Sequence, residues 1–281
     1  MADTTTTTLT ELIQASIGQA RVVASQGVDL STLITNRPLE DGKGSATFPI
    51  YDSAVMASVA EGTDLTSSAF QTTEVEITPG ERGLMTNLTK LAQKRAGMQA
   101  AIDIGDVMGQ AYLDVKNQDI YALCDGFSTA MGTTNVNITE ALIIAAVAQL
   151  RANKAPGRLY MPCTPWVYAD LLALYTTNTS NVAEELRNSA TFNGILPMIH
   201  GVTPVLIDNL AAGSGTGGID EADTKTAIFS EHALAYVEEW DFNIETEGNA
   251  SLRADEMVAT ASYGVAEVNN AWGVELLVDN A

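Results

Sequence analysis

Two histidines and two cysteines in 281 residues leave this chain short of the side chains on which most enzymes and metalloproteins depend. Neither His200 nor His232 has a partner at a ligand spacing such as i+4, which would set two ligands on one helix face. Cys124 and Cys163 are too few for a disulfide framework and lack zinc-like spacing, so they read as buried thiols in a reducing compartment. Basic residues are scarce as well: 14 stand against 35 acidic ones, a net charge of −21. Most of such a surface repels a polyanion, which argues against sequence-specific nucleic-acid binding. Long apolar runs are also missing, since Ala141 to Leu150 is the longest and a bilayer span needs about 20 residues. Met1 to Thr8 carries neither the basic nor the apolar block of a secretory signal, so neither export nor membrane insertion is expected. What is present is a hydrophobic content of 46%, enough to bury the core of one or two domains.

Apparent chemical motifs dissolve on inspection. Gly213-Ser-Gly-Thr-Gly-Gly218 matches a dinucleotide fingerprint by letter, but Asp220, Glu221 and Asp223 follow it and would repel a phosphate. It reads as a surface loop. The pairs Glu184-Glu185, Glu238-Glu239 and Asp255-Glu256 could supply acid and base, yet in so acidic a chain they read as solvated faces or subunit contacts. The basic residues form two small groups, Lys90/Lys94/Arg95 and Arg151/Lys154/Arg158, which read as helix-end and salt-bridge positions. No nucleophile stands with a base and no cofactor is implied, so no catalytic, cofactor or metal site is expected.

The order of elements between Ala46 and Ala122 is more informative. Thr73, Val75 and Ile77 alternate with Thr72, Glu74 and Glu76, the period of a half-buried strand. Pro79 and Gly80 suit the two central positions of a type II turn, so Leu84 to Leu88 is expected to return as the partner strand of a ribbon. From Leu91 the pattern becomes helical, with Ile104, Val107, Ala111 and Val115 as the apolar stripe and no proline between Pro79 and Pro156. A single helix from about Leu91 to Cys124 would be a rod of roughly 50 Å.

Around this spine, Thr8 with Glu11 forms a capping box that opens a short helix with Ile13, Ile17, Ala20 and Ala24 on one stripe. Gly27 to Ser45 reads as an extended arm that needs another surface to lie on. Asn137 with Glu140 starts a helix that ends before Pro156, and Thr164-Pro165-Trp166 opens another. Arg158 to Met161, Gly201 to Ile207, Lys225 to Ser230, Met257 to Val268 and Trp272 to Val278 read as strands. The class is α+β.

In this order, several runs closely resemble the major capsid proteins of tailed bacteriophages, which share the Hong Kong 97 fold. They are Phe48-Pro49-Ile50, Ala60-Glu61-Gly62-Thr63, the ribbon Val75 to Leu88, and Gly157-Arg158-Leu159-Tyr160-Met161-Pro162 up to Trp166. Asn193-Gly194-Ile195-Leu196, Gly201-Val202-Thr203-Pro204-Val205 and Ala259 to Val265 complete the series. The resemblance spans nearly the whole chain, each motif being loose and only the order specific. It implies an N-terminal arm (1–45), an E-loop region (46–91), a peripheral domain with a spine helix (92–130 and 241–281) and an axial domain (131–240). It further implies pentamers and hexamers in an icosahedral virion shell, assembled in the host bacterial cytoplasm, that encloses double-stranded DNA without reading its sequence. Portal, scaffolding and cement proteins are partners of such shells. Glu61, Phe70 and Thr72 near the E-loop tip, with Ile13 and Ile17 of the arm, are the expected inter-subunit contacts.

Two departures matter. Some members of the family cross-link an E-loop lysine to an asparagine on a neighbour, but no lysine lies between Lys43 and Lys90, so non-covalent assembly is expected. The arm starts at once, so scaffolding is expected to be a separate protein. Two rival readings remain: an encapsulin-type shell, which encloses protein, and an α/β enzyme, which needs a pocket with perturbed carboxylates or a bound cofactor.

Overall fold

The computed structural model describes residues 28–51, 56, 58–59, 61–62, 64, 72–96, 99–177, 196–207 and 223–279. In chain order the strands are β1 (Thr35–Pro38), β2 (Ala46–Tyr51), β3 (Thr72–Ile77), β4 (Gly80–Thr89), β5 (Ala130–Gly132), β6 (Leu159–Cys163), β7 (Val202–Leu206), β8 (Asp223–Ser230), β9 (Leu234–Asn249), β10 (Ala254–Glu267) and β11 (Gly273–Asp279). The helices are α1 (Lys90–Ala96), α2 (Gln99–Ala122), α3 (Glu140–Ala152) and α4 (Pro165–Thr177). Three sheets result: a five-stranded one in the order β5-β11-β8-β6-β7, a four-stranded one in the order β1-β9-β10-β4, and the hairpin β2-β3.

Strand β8 shows why the interior lies where it does. Ile228 points into a cluster with Ile143, Leu150, Val167 and Leu171 of α3 and α4, while Ala227 and Phe229 point the other way, into a cluster with Ile120, Tyr121, Cys124 and Tyr236. A strand covered on both faces reads as an apolar run, as Ala227-Ile228-Phe229 does. Helix α3 starts at Thr139, whose hydroxyl accepts from the Leu142 amide, and it buries Ile143, Ala146 and Leu150 at spacings of three and four. Asn137, the expected cap, donates instead to Asp170 at 2.9 Å. Helix α4 opens as expected, with proline first and the Thr164 hydroxyl facing the Val167 amide at 3.5 Å.

The ribbon is built differently from the expectation. β3 pairs with β2, Ala46 facing Ile77 and Tyr51 facing Thr72, whereas β4 pairs with β10 over ten residues, from Gly80–Tyr263 to Thr89–Ala254. Gly80 does not adopt the positive φ that a type II turn requires, so Thr78-Pro79 passes directly from one sheet to the other. That passage runs over Gly264 of β10, where a Cβ would lie 2.9 Å from Ile77 Cγ2 and 3.0 Å from the Thr78 carbonyl oxygen. A proline-containing link crossing a glycine therefore takes the place of a reversal.

The expected 50 Å rod is two helices, and the longer, α2, has 24 residues and spans roughly 36 Å. Its buried side is also rotated from the apolar stripe: Val107 is 66% exposed and Val115 38%, while Met108, Leu113, Lys116, Asn117 and Ile120 are buried. Polar side chains turned inward shift the stripe, and a count of apolar spacing overlooks them. The segment from Gly27 to Ser45, read as an extended arm, contains β1, which pairs in parallel with β9 from Thr35–Ala235 to Pro38–Glu238. Part of the surface it needs is this chain's own sheet. β9 itself, 16 residues long, was not anticipated. β10 and β11 lie where the two late strands were expected, but β11 joins the five-stranded sheet rather than the β10 sheet.

Candidate assembly surface

Helix α2 lies across the four-stranded sheet on a ladder of rings. Tyr112 stacks on Phe242 at 4.9 Å between centroids, Tyr236 stacks on Tyr263 at 5.6 Å, and Tyr112 meets Tyr263 edge-on at 6.2 Å. Asp119 on the same helix accepts from Tyr263 Oη at 2.8 Å and from Arg82 of β4 at 2.9 Å, tying helix to sheet. Burial raises the Tyr112 hydroxyl to about 12, and burial with the Asp119 bond holds Tyr263 higher still, so both rings stay neutral.

The root of the arm is held on α2 by a polar latch. Asn117 donates to the Val28 carbonyl at 2.7 Å and accepts from the Leu30 amide at 3.0 Å, so one side chain pairs with two backbone groups. Lys116, 8% exposed, reaches Asp29 at 2.6 Å and lies 4.8 Å above the Tyr236 ring. Asp29 also accepts from the Ser31 amide and so caps the short 3-10 turn Leu30–Leu33.

On the other side of α2 the surface is apolar and open. Met108, Ala111, Tyr112 and Val115 face Leu84 and Phe242 across a groove of about 300 Å³. Strand β4 forms its rim: it is a sheet edge, nearly every residue is exposed, and Leu84 and Met85 are 43% and 53% exposed. An edge strand ten residues long with apolar side chains on show offers backbone donors and acceptors to another chain.

Of the expected contact residues, Thr72 is exposed at the start of β3, opposite Tyr51, and Glu61 is exposed between β2 and β3. The structure does not bring them together with the groove. Phe70, Ile13, Ile17 and the arm helix lie outside the described residues, as do Glu184-Glu185 and the glycine run 213–218. Sequence reasoning missed the latch at Asn117 and the apolar edge at Leu84-Met85. The alternation of exposed and buried positions in β4 is too weak to announce an edge.

The ionisable groups are structural in their settings. Lys225 lies between Asp125 and Glu275 Oε1, the latter at 3.2 Å; the bond to Asp125 holds the lysine above its ordinary value, while burial pushes the Glu275 carboxyl up. Burial also pushes both thiols far up, which makes Cys124 and Cys163 poor nucleophiles. His200 meets Glu140 at 3.0 Å on the surface. Glu239 of the acidic pairs accepts from Ser262 Oγ at 2.7 Å, and Asp255 accepts from Gln93 at 3.1 Å. Among the described residues no group of three or more His, Cys, Asp or Glu is placed to hold a metal, and no helix is long and apolar enough to cross a membrane.

No protein-family model matches the chain, and no curated protein matches it. Solved structures do. The capsid structure of cyanophage P-SCSP1u matches with a TM-score of 0.65 at 16% identity, covering 89% of this chain and 87% of that one. The capsid of Ralstonia phage GP4 gives 0.67 at 11% identity, covering 89% and 87%. A virus-like particle from Pyrococcus furiosus gives 0.60 at 12% identity, covering 94% and 98%. At such identities the likeness concerns backbone architecture. The chain has the Hong Kong 97-type fold found in phage capsids.

Proposed function

We propose that this chain is the major capsid protein of a tailed bacteriophage, the repeated unit of an icosahedral head built from pentamers and hexamers around double-stranded DNA. The observation that carries the reading is the likeness to phage capsid structures over nearly the full length of both chains. The exposed apolar edge of β4 and the open groove beside α2 support it, since a subunit that works alone gains nothing from leaving such surface in water.

In this reading residues 1–45 are the N-arm, 46–91 the E-loop region, 92–130 and 241–281 the peripheral domain and 131–240 the axial domain, with β11 carried by the sheet of the axial part. Glu61, Phe70, Thr72, Ile13 and Ile17 are the proposed inter-subunit contacts. Portal and scaffolding proteins, and a cement protein, are its proposed partners. The shell is proposed to be non-covalent, because no lysine stands between Lys43 and Lys90. Many weak contacts then add up by repetition. A catalytic role has no support in the settings of Lys225, Cys124 or Cys163.

Negative-stain electron microscopy of the purified protein at rising concentration tests this. Closed polyhedra, tubes or five- and six-fold rings are expected; a monomer at every concentration, also when co-expressed with the neighbouring genes of its source, would sink the reading. On denaturing gels of unheated particles a single subunit band is expected, and a ladder would remove the non-covalent claim. The likeness to the archaeal virus-like particle favours a second reading, a compartment shell of the encapsulin type that holds protein. Small uniform particles containing a second protein and no DNA would decide for it.

A further inference from the structure

Among the described residues every sheet edge but one is blunted. β1 has four residues and carries Arg37 and Pro38, β5 has three, β7 carries Pro204, β2 carries Pro49, and β3 presents two exposed glutamates, Glu74 and Glu76. Short length, proline and charge are what keep an edge from pairing with another chain. β4 is the exception: it runs for ten residues without proline or lysine, and its ladder to β10 is unbroken, the irregularities of β10 falling on the β9 side. Its charges are Glu81 near the start and Arg82, which is turned to Asp119. No described strand pairs with its outer edge.

The apolar stripe that the sequence places on α2 is left over as well. Val107, Ala111 and Val115 follow one another at steps of four along one side of the helix, while the core takes Met108, Leu113 and Ile120 instead. Ala111 and Val115 line the groove with Leu84 and Arg82, and Val107 is exposed one turn back. Strand alternation thus turns Leu84 towards α2 and Met85 to the opposite face of the sheet. The polar groups along this side of α2 are Gln110, which donates to Asp114 at 2.8 Å, and exposed Asp103.

Resting on the self-association proposed above, we infer that β4 pairs antiparallel with β4 of a second copy of this chain, about a two-fold axis at Leu84. Opposed residues of antiparallel strands share a face. Leu84 then meets its own copy, Arg82 meets Thr86, Glu81 meets Asn87 and Gly80 meets Leu88, so no two like charges stand opposite. A parallel pairing would set Glu81 beside Glu81, whereas the antiparallel one sends it towards the Lys90 end of the other strand. The two four-stranded sheets become one of eight strands, with both α2 helices on the same face, because a two-fold axis through a sheet preserves its sides. Across that axis the two grooves face each other over the joined strands, Val107 of one helix towards Val115 of the other.

The size of the contact suits a specific interface. Nine paired residues give a wall about 30 Å long, and sheet plus helix make it about 20 Å high, on the order of 600 Å² per copy. Two such faces reach the lower end of the range for stable interfaces. A two-fold contact closes on itself and builds no ring, so in the proposed shell it joins one ring to the next.

Leu84→Cys tests the axis, because opposed residues have Cα atoms about 4.5 or 5.5 Å apart, within disulfide reach. Cys124 and Cys163 are buried, so after mild oxidation the parent should run as a single band on non-reducing gels. L84C should give a two-subunit band, and Ile144→Cys, at an exposed position of α3, should give none. Leu84→Lys sets two ammonium groups on the axis; it should keep the parent's circular dichroism spectrum and raise the concentration for half-association by about tenfold or more. If the parent forms particles while L84C gives no two-subunit band and Leu84→Lys associates at the parental concentration, the pairing is wrong and the shell reading stands. Equal bands from L84C and I144C report random collision and also overturn the pairing. A two-subunit band from L84C alone, in protein that never forms rings or particles, upholds the pairing and removes the shell reading.

Discussion

Strands β8 and β4 divide the molecule into two kinds of surface. β8 is covered on both faces by helices α3 and α4 and by the end of α2, so that all but one of its residues are buried. β4 is longer, lies at a sheet edge, and buries a single residue, Leu88. The half around β8 is satisfied by its own chain. The half around β4 is finished on one face by α2 and left open along the edge and in the groove. Stability of the fold and the open apolar surface are thus carried by different residues.

The largest expected effect lies in the first half. Leu171→Ala empties a fully buried site of α4 and should lower subunit stability by about 2–5 kcal/mol, read from the urea midpoint. Leu84→Ala, the corresponding truncation on the open edge, should change that midpoint by no more than about 0.5 kcal/mol while raising the assembly threshold. Equal stability losses from the two would break the comparison. Next comes the latch: Asn117→Ala strands the Leu30 amide and should cost about 1–3 kcal/mol, with faster hydrogen exchange at Leu30 than at Ile228.

Gly264→Ala sharpens the picture at the boundary. Its Cβ would press on Ile77 and the Thr78 carbonyl, so a loss of about 1–3 kcal/mol is expected, together with greater protease sensitivity of the hairpin and unchanged packing around β8. The smallest effect is electrostatic. Burial holds the Glu267 carboxyl above its ordinary range, so the folded state disfavours the ionised form. That penalty is absent below about pH 4, where the unfolded chain is protonated too, grows as pH rises through the folded value, and is complete above it. Glu267→Gln, which still accepts from Asn270, should therefore stabilise slightly at pH 7, by about 0.5 kcal/mol or less, and not at pH 4.

The two halves were also unequally legible. Around β8 the apolar run Ala227-Ile228-Phe229, the Thr164-Pro165 cap and the stripe of α3 state their structure locally, and each element lies where local rules place it. Around β4 the decisive facts are non-local. Pro79-Gly80 has the letters of a turn, yet the partner of β3 precedes it by the whole 52–71 connection, and the partner of β4 lies more than 160 residues on. Lys116 and Asn117 look like solvent-facing helix residues until Asp29 and the backbone of residues 28–30 arrive from the arm. The order of elements still pointed to the fold, because order survives errors in pairing. The open edge was not readable, since the exposure of Leu84 and Met85 depends on which strands pair with β4 and which do not.

The link Thr78-Pro79 sets a mechanical limit. In the shell proposed above, five- and six-fold rings would require the same hairpin at slightly different inclinations. Proline fixes φ at its own position, and Gly264 below leaves no clearance for a thicker contact. Tilt of the hairpin then falls on the torsions of Thr78 and the ψ of Pro79, so this short stretch is a stiff wrist between the two sheets, and in the proposed shell its compliance would govern how sharply the wall curves.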